Sequence, residues 1–135
     1  MKKNILILCT GNSCRSIIAE ALINAKMKHV QAESSGVKAS GKINPNAKRV
    51  LQEKGIWKET YHSKVLESVF GHTYDLIVTV CDNARETCPV FPNKAKMVYI
   101  GFEDPDGKDY ASFVETYHKI ESILLPEIDA MLKKI

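Results

Sequence analysis

Residues 5–16 read Ile5-Leu6-Ile7-Leu8-Cys9-Thr10-Gly11-Asn12-Ser13-Cys14-Arg15-Ser16. The apolar run predicts a strand buried on both faces, as in parallel sheets. The small residues after it can curl the backbone into a cup of N–H donors. A helix beginning near Ser16 turns its positive end into the same cup. A thiol at Cys9, a guanidinium at Arg15 and the amides of Thr10, Gly11, Asn12, Ser13 and Cys14 together make a nucleophile inside an oxyanion receptor. The implied chemistry is attack on a tetrahedral oxyanion such as phosphate or arsenate.

Outward from this loop, strands and helices alternate. Residues 16–28 predict a helix with Ile17, Ile18, Ala21, Leu22 and Ala25 on its buried side. Residues 30–34 read as a short second strand. Asn44-Pro45 is a cap followed by proline at the first helical position, Val50 and Leu51 continue the apolar stripe, and Gly55 ends it. Residues 62–70 suggest a further short helix, with Val65, Leu66 and Val69 spaced for burial. Residues 76–80 form a second deeply buried strand running into Cys81, and 96–100 a fourth strand. From about residue 110 to 135, Phe113, Tyr117, Ile120, Leu124, Ile128, Met131 and Leu132 recur at helical spacing, with Pro126 placed to kink or interrupt the helix. Met27 and Met97 read as core filler, like Met131. This order predicts a single α/β domain over 1–135, a three-layer open parallel sheet of about four strands with helices on both faces. Ligands in such sheets bind beyond the carboxyl ends of the strands, where Cys9, Cys81 and the 101–104 loop fall.

Composition narrows the class. The chain has 135 residues, 44% hydrophobic and 26% charged, with a formal charge of +3. That mildly favours anionic substrates and is too weak and scattered for nucleic-acid binding. The first apolar stretch is too short for a signal-peptide core and nothing approaches membrane-spanning length. The chain therefore reads as cytoplasmic, and a monomer is expected by default. Its four cysteines then point to reactivity or metal binding rather than structural cross-links. The histidines lack the spacing to complete a zinc site with them.

The loop has a clear mechanical reading. A free thiol with a pKa of ~8.5 is mostly protonated at neutral pH, so the helix end, Arg15 and the loop amides all serve to favour the thiolate. The Ser16 hydroxyl can donate one more hydrogen bond, and the Arg15 fork can grip two oxygens. The alternative reading, a buried strand-end cysteine beside a glycine turn, leaves Arg15 and the helix start unexplained. Glu103-Asp104-Pro105-Asp106-Gly107 reads on its own as an acidic turn.

Residues 9–16 resemble the C-x5-R loop of the low-molecular-weight tyrosine phosphatase superfamily, and the whole chain most resembles its thioredoxin-coupled arsenate reductases. The resemblance implies that Asp104, the acid before proline, protonates the leaving oxygen, while Asp106 remains a turn residue. It implies that Cys9 attacks arsenate, that Cys81 then attacks Cys9, and that Cys88 takes over Cys81 to leave a Cys81–Cys88 disulfide for thioredoxin. Seven residues of regular helix would hold Cys81 and Cys88 ~10 Å apart. A disulfide needs their Cα atoms within ~7 Å, so the segment must unwind or loop to close it. Arg85 has two readings, electrostatic help to Cys88 and an ordinary solvated side chain. Cys14 has no redox role in the family. Phosphate and sulfate are expected mimics of arsenate. The alternative activity is hydrolysis of aryl phosphates through a phosphocysteine at Cys9, but those phosphatases carry aromatic residues after the Asp-Pro pair, where this chain has Asp106-Gly107. Asn12 is expected to brace the loop with help from Ser34. In some arsenate reductases these positions and the one matching Glu20 form part of a potassium site. Lys64 stands here in place of the completing acid, so no metal is expected.

Overall fold

Strand β1 (Lys3–Cys9) buries Ile5 through Cys9 without a break because it lies in the middle of the sheet. The computed structural model describes residues 2–80 and 95–134. Cys81, Arg85 and Cys88 lie outside the described residues. β1 pairs in parallel with β2 (Val30–Gly36) on one side and β3 (Leu76–Thr79) on the other. β4 (Lys96–Tyr99) pairs with β3, giving the order β2-β1-β3-β4. The chain leaves β1 for one side and returns to the other. Connections therefore diverge between the carboxyl ends of β1 and β3, and the divergence opens a crevice there.

Helix α1 (Arg15–Lys26) follows the anion loop directly and buries every residue from Ser16 to Ile23. A one-sided stripe understates it, because the helix packs on β1 and β2 and is covered by α2 and the C-terminal helix. Ala25, expected on the buried side, is exposed. Helix α2 (Pro45–Glu53) begins as its sequence dictates: Asn44 caps it by accepting from the Asn46 N–H at 2.8 Å, and Pro45 opens the first turn. Gly55, at φ 74°, takes the left-handed conformation that ends it.

The C-terminal helix runs as α3 (Tyr110–Lys119), a π-helical turn (Ile120–Leu124) and α4 (Leu125–Leu132). Phe113, Tyr117, Ile120, Leu124 and Ile128 form its buried stripe. Pro126 does not interrupt the rod. The wider turn immediately before it absorbs the missing N–H and the bulk of the ring.

Residues 62–70 do hold a short helix, the four-residue 3-10 helix Leu66–Val69, and the backbone before it is engaged by the sheet end, which overturns the expected burial of Val65. Gly36 N–H donates to Lys64 O at 3.0 Å, and Gly36 bridges to Val65. Val65 is consequently 44% exposed, whereas Leu66 and Val69 are buried. Met97 is also 44% exposed rather than core, since β4 ends the described sheet and shows most of its residues to solvent. No helix among the described residues is long and apolar enough to cross a membrane.

Phe113 is fully buried, so Phe113→Ala should cost about 3–5 kcal/mol of stability. Urea unfolding should show a lowered midpoint with an unchanged slope.

Candidate active site

The loop between β1 and α1 is held by its carbonyls from outside. Val37 N–H donates to Cys9 O (3.2 Å), Lys38 N–H to Thr10 O (2.9 Å), Ser40 N–H to Gly11 O (3.0 Å) and Asn44 N–H to Ser13 O (3.0 Å). Ser63 Oγ adds a second donor to Gly11 O at 3.2 Å. A trans peptide points its N–H opposite its C=O. Outward carbonyls therefore turn the following amides toward the inside of the loop. Asn12 N–H does so visibly, donating to Cys9 Sγ at 3.1 Å. Cys14 occupies the N-cap of α1 without a side-chain capping bond, so no side chain competes with an anion at that helix end. The loop passes so close over the end of β2 that a Cβ at Gly36 would stand 2.5 Å from Thr10 O.

Asn12 sets the polarity of the interior. Its side chain is fully buried and its backbone sits at φ 49°, a conformation asparagine tolerates. The Lys64 backbone N–H can only donate, and it meets Asn12 Oδ1 at 2.8 Å. The other end of the amide must then be Nδ2, which donates to Ser16 Oγ (2.7 Å) and Ser34 Oγ (2.9 Å). Ser34 in turn donates to Glu20 Oε1. Ser16 Oγ, which accepts from Asn12, stands 2.9 Å from Cys9 Sγ, within reach to donate its own proton to a thiolate there. Cys9 Sγ thus faces the Asn12 N–H and the Ser16 hydroxyl, and a thiolate, which can only accept, would draw a hydrogen bond from each.

Glu20 belongs to this cluster rather than to a solvated helix face, being only 6% exposed. Burial pushes its carboxyl above the ordinary range, opposed by the Ser34 hydrogen bond and the charge of Lys64. These residues do not fit a potassium ion. Asn12 turns its donor end into the cluster, its oxygen is taken by Lys64 N–H, and a lysine charge already bears on Glu20.

Arg15 opens α1 and reaches across the cup mouth. Its Nη1 donates to Phe102 O at 3.0 Å and its Nη2 pairs with Asp104 Oδ2 at 3.3 Å. Its Nε is buried and finds no acceptor among the described residues. Asp104 Oδ1 accepts the Asp106 N–H at 2.9 Å, and Asp106 Oδ1 accepts from Asn44 Nδ2 at 2.7 Å. Cys14 shares the loop but not the environment of Cys9. Burial, with Asp104 and Asp106 adding to it, pushes its thiol up to about 12. The structure thus brings Cys9, Asn12, Arg15, Ser16 and Asp104 together. It adds Gly36, Ser63 and the Lys64 backbone, for which the only sequence signal was a glycine at a strand end.

A strand-end cysteine receiving a backbone N–H, beside an arginine paired with an aspartate, is a constellation suited to an enzyme that handles oxyanions. Residues 4–134 match the family described as low molecular weight phosphotyrosine protein phosphatase, and the chain belongs to that family. It is 42% identical to an arsenate reductase of Brevibacillus brevis over 83% of this chain and 84% of the relative. The solved structure of an arsenate reductase from Archaeoglobus fulgidus is 35% identical, with a TM-score of 0.76 over 87% of this chain and 93% of that one. The tyrosine phosphatase Wzb from Escherichia coli K30, solved in complex with sulphate, superimposes with a TM-score of 0.76 at 25% identity, covering 90% and 93% of the two chains.

Two consequences can be measured. Gly36→Ala should displace the loop, costing about 1–3 kcal/mol of stability and weakening phosphate binding at least ~10-fold by calorimetric titration. For Glu20, a folded-state pKa raised above the ordinary 4.5 of a glutamate means that its contribution to stability is full below that pH and is lost as pH rises through the folded value. Glu20→Gln keeps the acceptor for Ser34 without the charge. Its stability relative to the parent, measured by urea unfolding, should therefore improve steadily from pH 4 toward neutrality.

Proposed function

We propose that this protein reduces arsenate to arsenite. The observation that carries the reading is the donor arrangement at Cys9 Sγ, with the Asn12 N–H at 3.1 Å and the Ser16 hydroxyl at 2.9 Å, in a chain 42% identical to an arsenate reductase. Arsenate, like phosphate and sulfate, presents tetrahedral oxygens to the amides of residues 10–14 and to the Arg15 fork, whose Nε has an acceptor to gain. An oxyanion competes with Asp104 for that fork and frees the carboxyl. Cys9 thiolate attacks arsenic: an S–As bond forms, an As–O bond breaks, and Asp104 supplies the proton with which the leaving oxygen departs as water.

Cys81 then attacks Cys9 Sγ. The S–As bond breaks, its electron pair stays with arsenic, and arsenic falls from the pentavalent to the trivalent state as arsenite leaves. The two sulfurs are oxidised to a Cys9–Cys81 disulfide. Cys88 attacks Cys81, releasing Cys9 as thiolate and leaving a Cys81–Cys88 disulfide for thioredoxin to reduce. Connectivity supports the first exchange: Cys81 directly follows Val80, whose N–H donates to Leu8 O (2.9 Å), one residue before Cys9. A phosphatase needs neither Cys81 nor Cys88, and the turn after Pro105 offers no aromatic ring to hold a phenol. The reading places the protein in the cytoplasm, where thioredoxin operates and thiols stay reduced, acting as a monomer without a metal.

The test is arsenate-dependent NADPH consumption with thioredoxin and thioredoxin reductase. Cys9→Ser should abolish it. Cys88→Ser should release one equivalent of arsenite and then stop, trapped as the Cys9–Cys81 disulfide. Sustained turnover by Cys88→Ser would overturn the three-thiol relay. Phosphotyrosine hydrolysis independent of Cys81 and Cys88, without arsenate turnover, would favour the phosphatase instead.

A further inference from the structure

Asp106, expected to be only a turn residue, makes a contact that a turn does not require. Residues 105–108 close a turn on themselves: Lys108 N–H donates to Pro105 O at 2.9 Å and Gly107 takes φ 84°. The Lys108 ammonium also pairs with Glu103. The turn is therefore internally braced, and what matters for the acid is how this unit is held against the anion loop. Pro105 is buried on one side. On the other, Asn44 Nδ2 donates to Asp106 Oδ1 at 2.7 Å, the one described hydrogen bond from α2 or its cap to the turn.

The orientation of Asn44 is dictated by its neighbours. Its Oδ1 faces the Asn46 N–H at 2.8 Å, a group that can only donate, so the end facing Asp106 is the amide nitrogen. Its own backbone N–H donates to Ser13 O at 3.0 Å, within the cup. A closed ring results. It runs from Ser13 through Asn44 and Asp106 to Asp104, and returns through Arg15 to the loop.

We propose that Asn44 is a positioning residue for Asp104, clamping the Asp-Pro turn to the same helix cap that anchors the anion loop. The proposal rests on Asp104 being the general acid. Among the described residues Arg15 is the other polar tether of Asp104, and it is the group an oxyanion recruits. When the fork turns to substrate, the Asn44–Asp106 bond remains, because neither partner contacts the anion-binding groups through its side chain. The clamp therefore holds the acid at the moment Arg15 lets it go. A carboxylate acceptor beside the positive end of α2 strengthens the bond.

The roles of the two side chains can be exchanged. Asn44→Asp keeps an oxygen for the helix cap but loses the donor and sets two carboxylates face to face. Asn44→Ser keeps a capping oxygen, loses the donor and adds no charge. In the double variant N44D/D106N the hydrogen bond re-forms with donor and acceptor reversed. The measurements are single-turnover arsenite release from fully reduced enzyme, and phosphate affinity by calorimetric titration.

Both single variants at Asn44 should slow release about 10-fold. Asn44→Ser should leave phosphate affinity within about twofold of the parent, since the amides and Arg15 are intact. The double variant should recover most of the rate, a rescue that a general loss of stability would not give. Unchanged release in both single variants, or no recovery in the double, would overturn the clamp. Asp104→Asn separates the two levels. If it slows release while the Asn44 variants do not, the clamp alone fails. If it releases arsenite at the parent rate, the general-acid reading fails and the clamp with it.

Discussion

The site depends on one buried carboxamide. Asn12 makes three side-chain hydrogen bonds, and a carboxamide, carried here on the shorter of its two natural stems, can accept from a backbone N–H at one end while donating to two hydroxyls at the other. An aspartate there would put a charge into a fully buried cluster and leave Ser16 and Ser34 without a donor. A leucine of similar size would strand the Lys64 N–H as well, and buried orphan groups are the expensive ones. The amide also stabilises a left-handed backbone at φ 49°. That conformation turns the Asn12 N–H inward onto Cys9 Sγ. Loop shape and sulfur chemistry are thus consequences of the same residue.

The sheet supplies the frame in which such a residue can work. β1 is buried on both faces and stiffly paired on both edges, so Cys9 emerges at a fixed point between the ends of β2 and β3. β2 then runs beneath the loop. Gly36 lets the loop backbone descend onto the strand end, and residues 37–44 return to bind its carbonyls one after another. The cup is a backbone object tied from behind. Its small side chains are small because the neighbouring chain segments need the space.

Most of the frame was legible in the sequence because its causes are local. Four continuous apolar residues before Cys9, the Asn44-Pro45 cap and the heptad-like spacing from Phe113 to Ile128 each report a nearest-neighbour constraint, and each became the element expected. The cysteine, arginine and serine of the site were legible for the same reason: one loop and one helix turn carry them. What stayed hidden is long-range. Nothing in the pattern says that the Lys64 backbone, 52 positions away, orients Asn12, or that Asn44 reaches 62 positions to Asp106. Val65 and Met97 were misjudged because an apolar residue in a short run looks the same whether it packs inward or lies at the end of a sheet. Pro126 was read correctly as an obstacle, but a π-helical turn is a remedy that only the packed helix can select.

The two cysteines of the loop show why the sequence motif by itself does not identify a nucleophile. Cys9 and Cys14 are both buried, at 2% and 3% exposure, and both follow from the same octapeptide. Burial alone disfavours a thiolate at either position. At Cys14 nothing sufficient opposes it, because the carboxylates of Asp104 and Asp106 add to the penalty and the Ser13 hydroxyl recovers only part of it. At Cys9 the sulfur receives the Asn12 backbone N–H and lies 2.9 Å from the Ser16 hydroxyl, which accepts from an Asn12 amide oriented by the Lys64 N–H. Asp104 is thus both the carboxylate paired with Arg15 and one of the charges that raise the Cys14 thiol. The two sulfurs of one loop therefore differ in environment, through the Asn12 N–H and Ser16 hydroxyl at Cys9, the Lys64 N–H that orients Asn12, and the burial and carboxylate charges at Cys14.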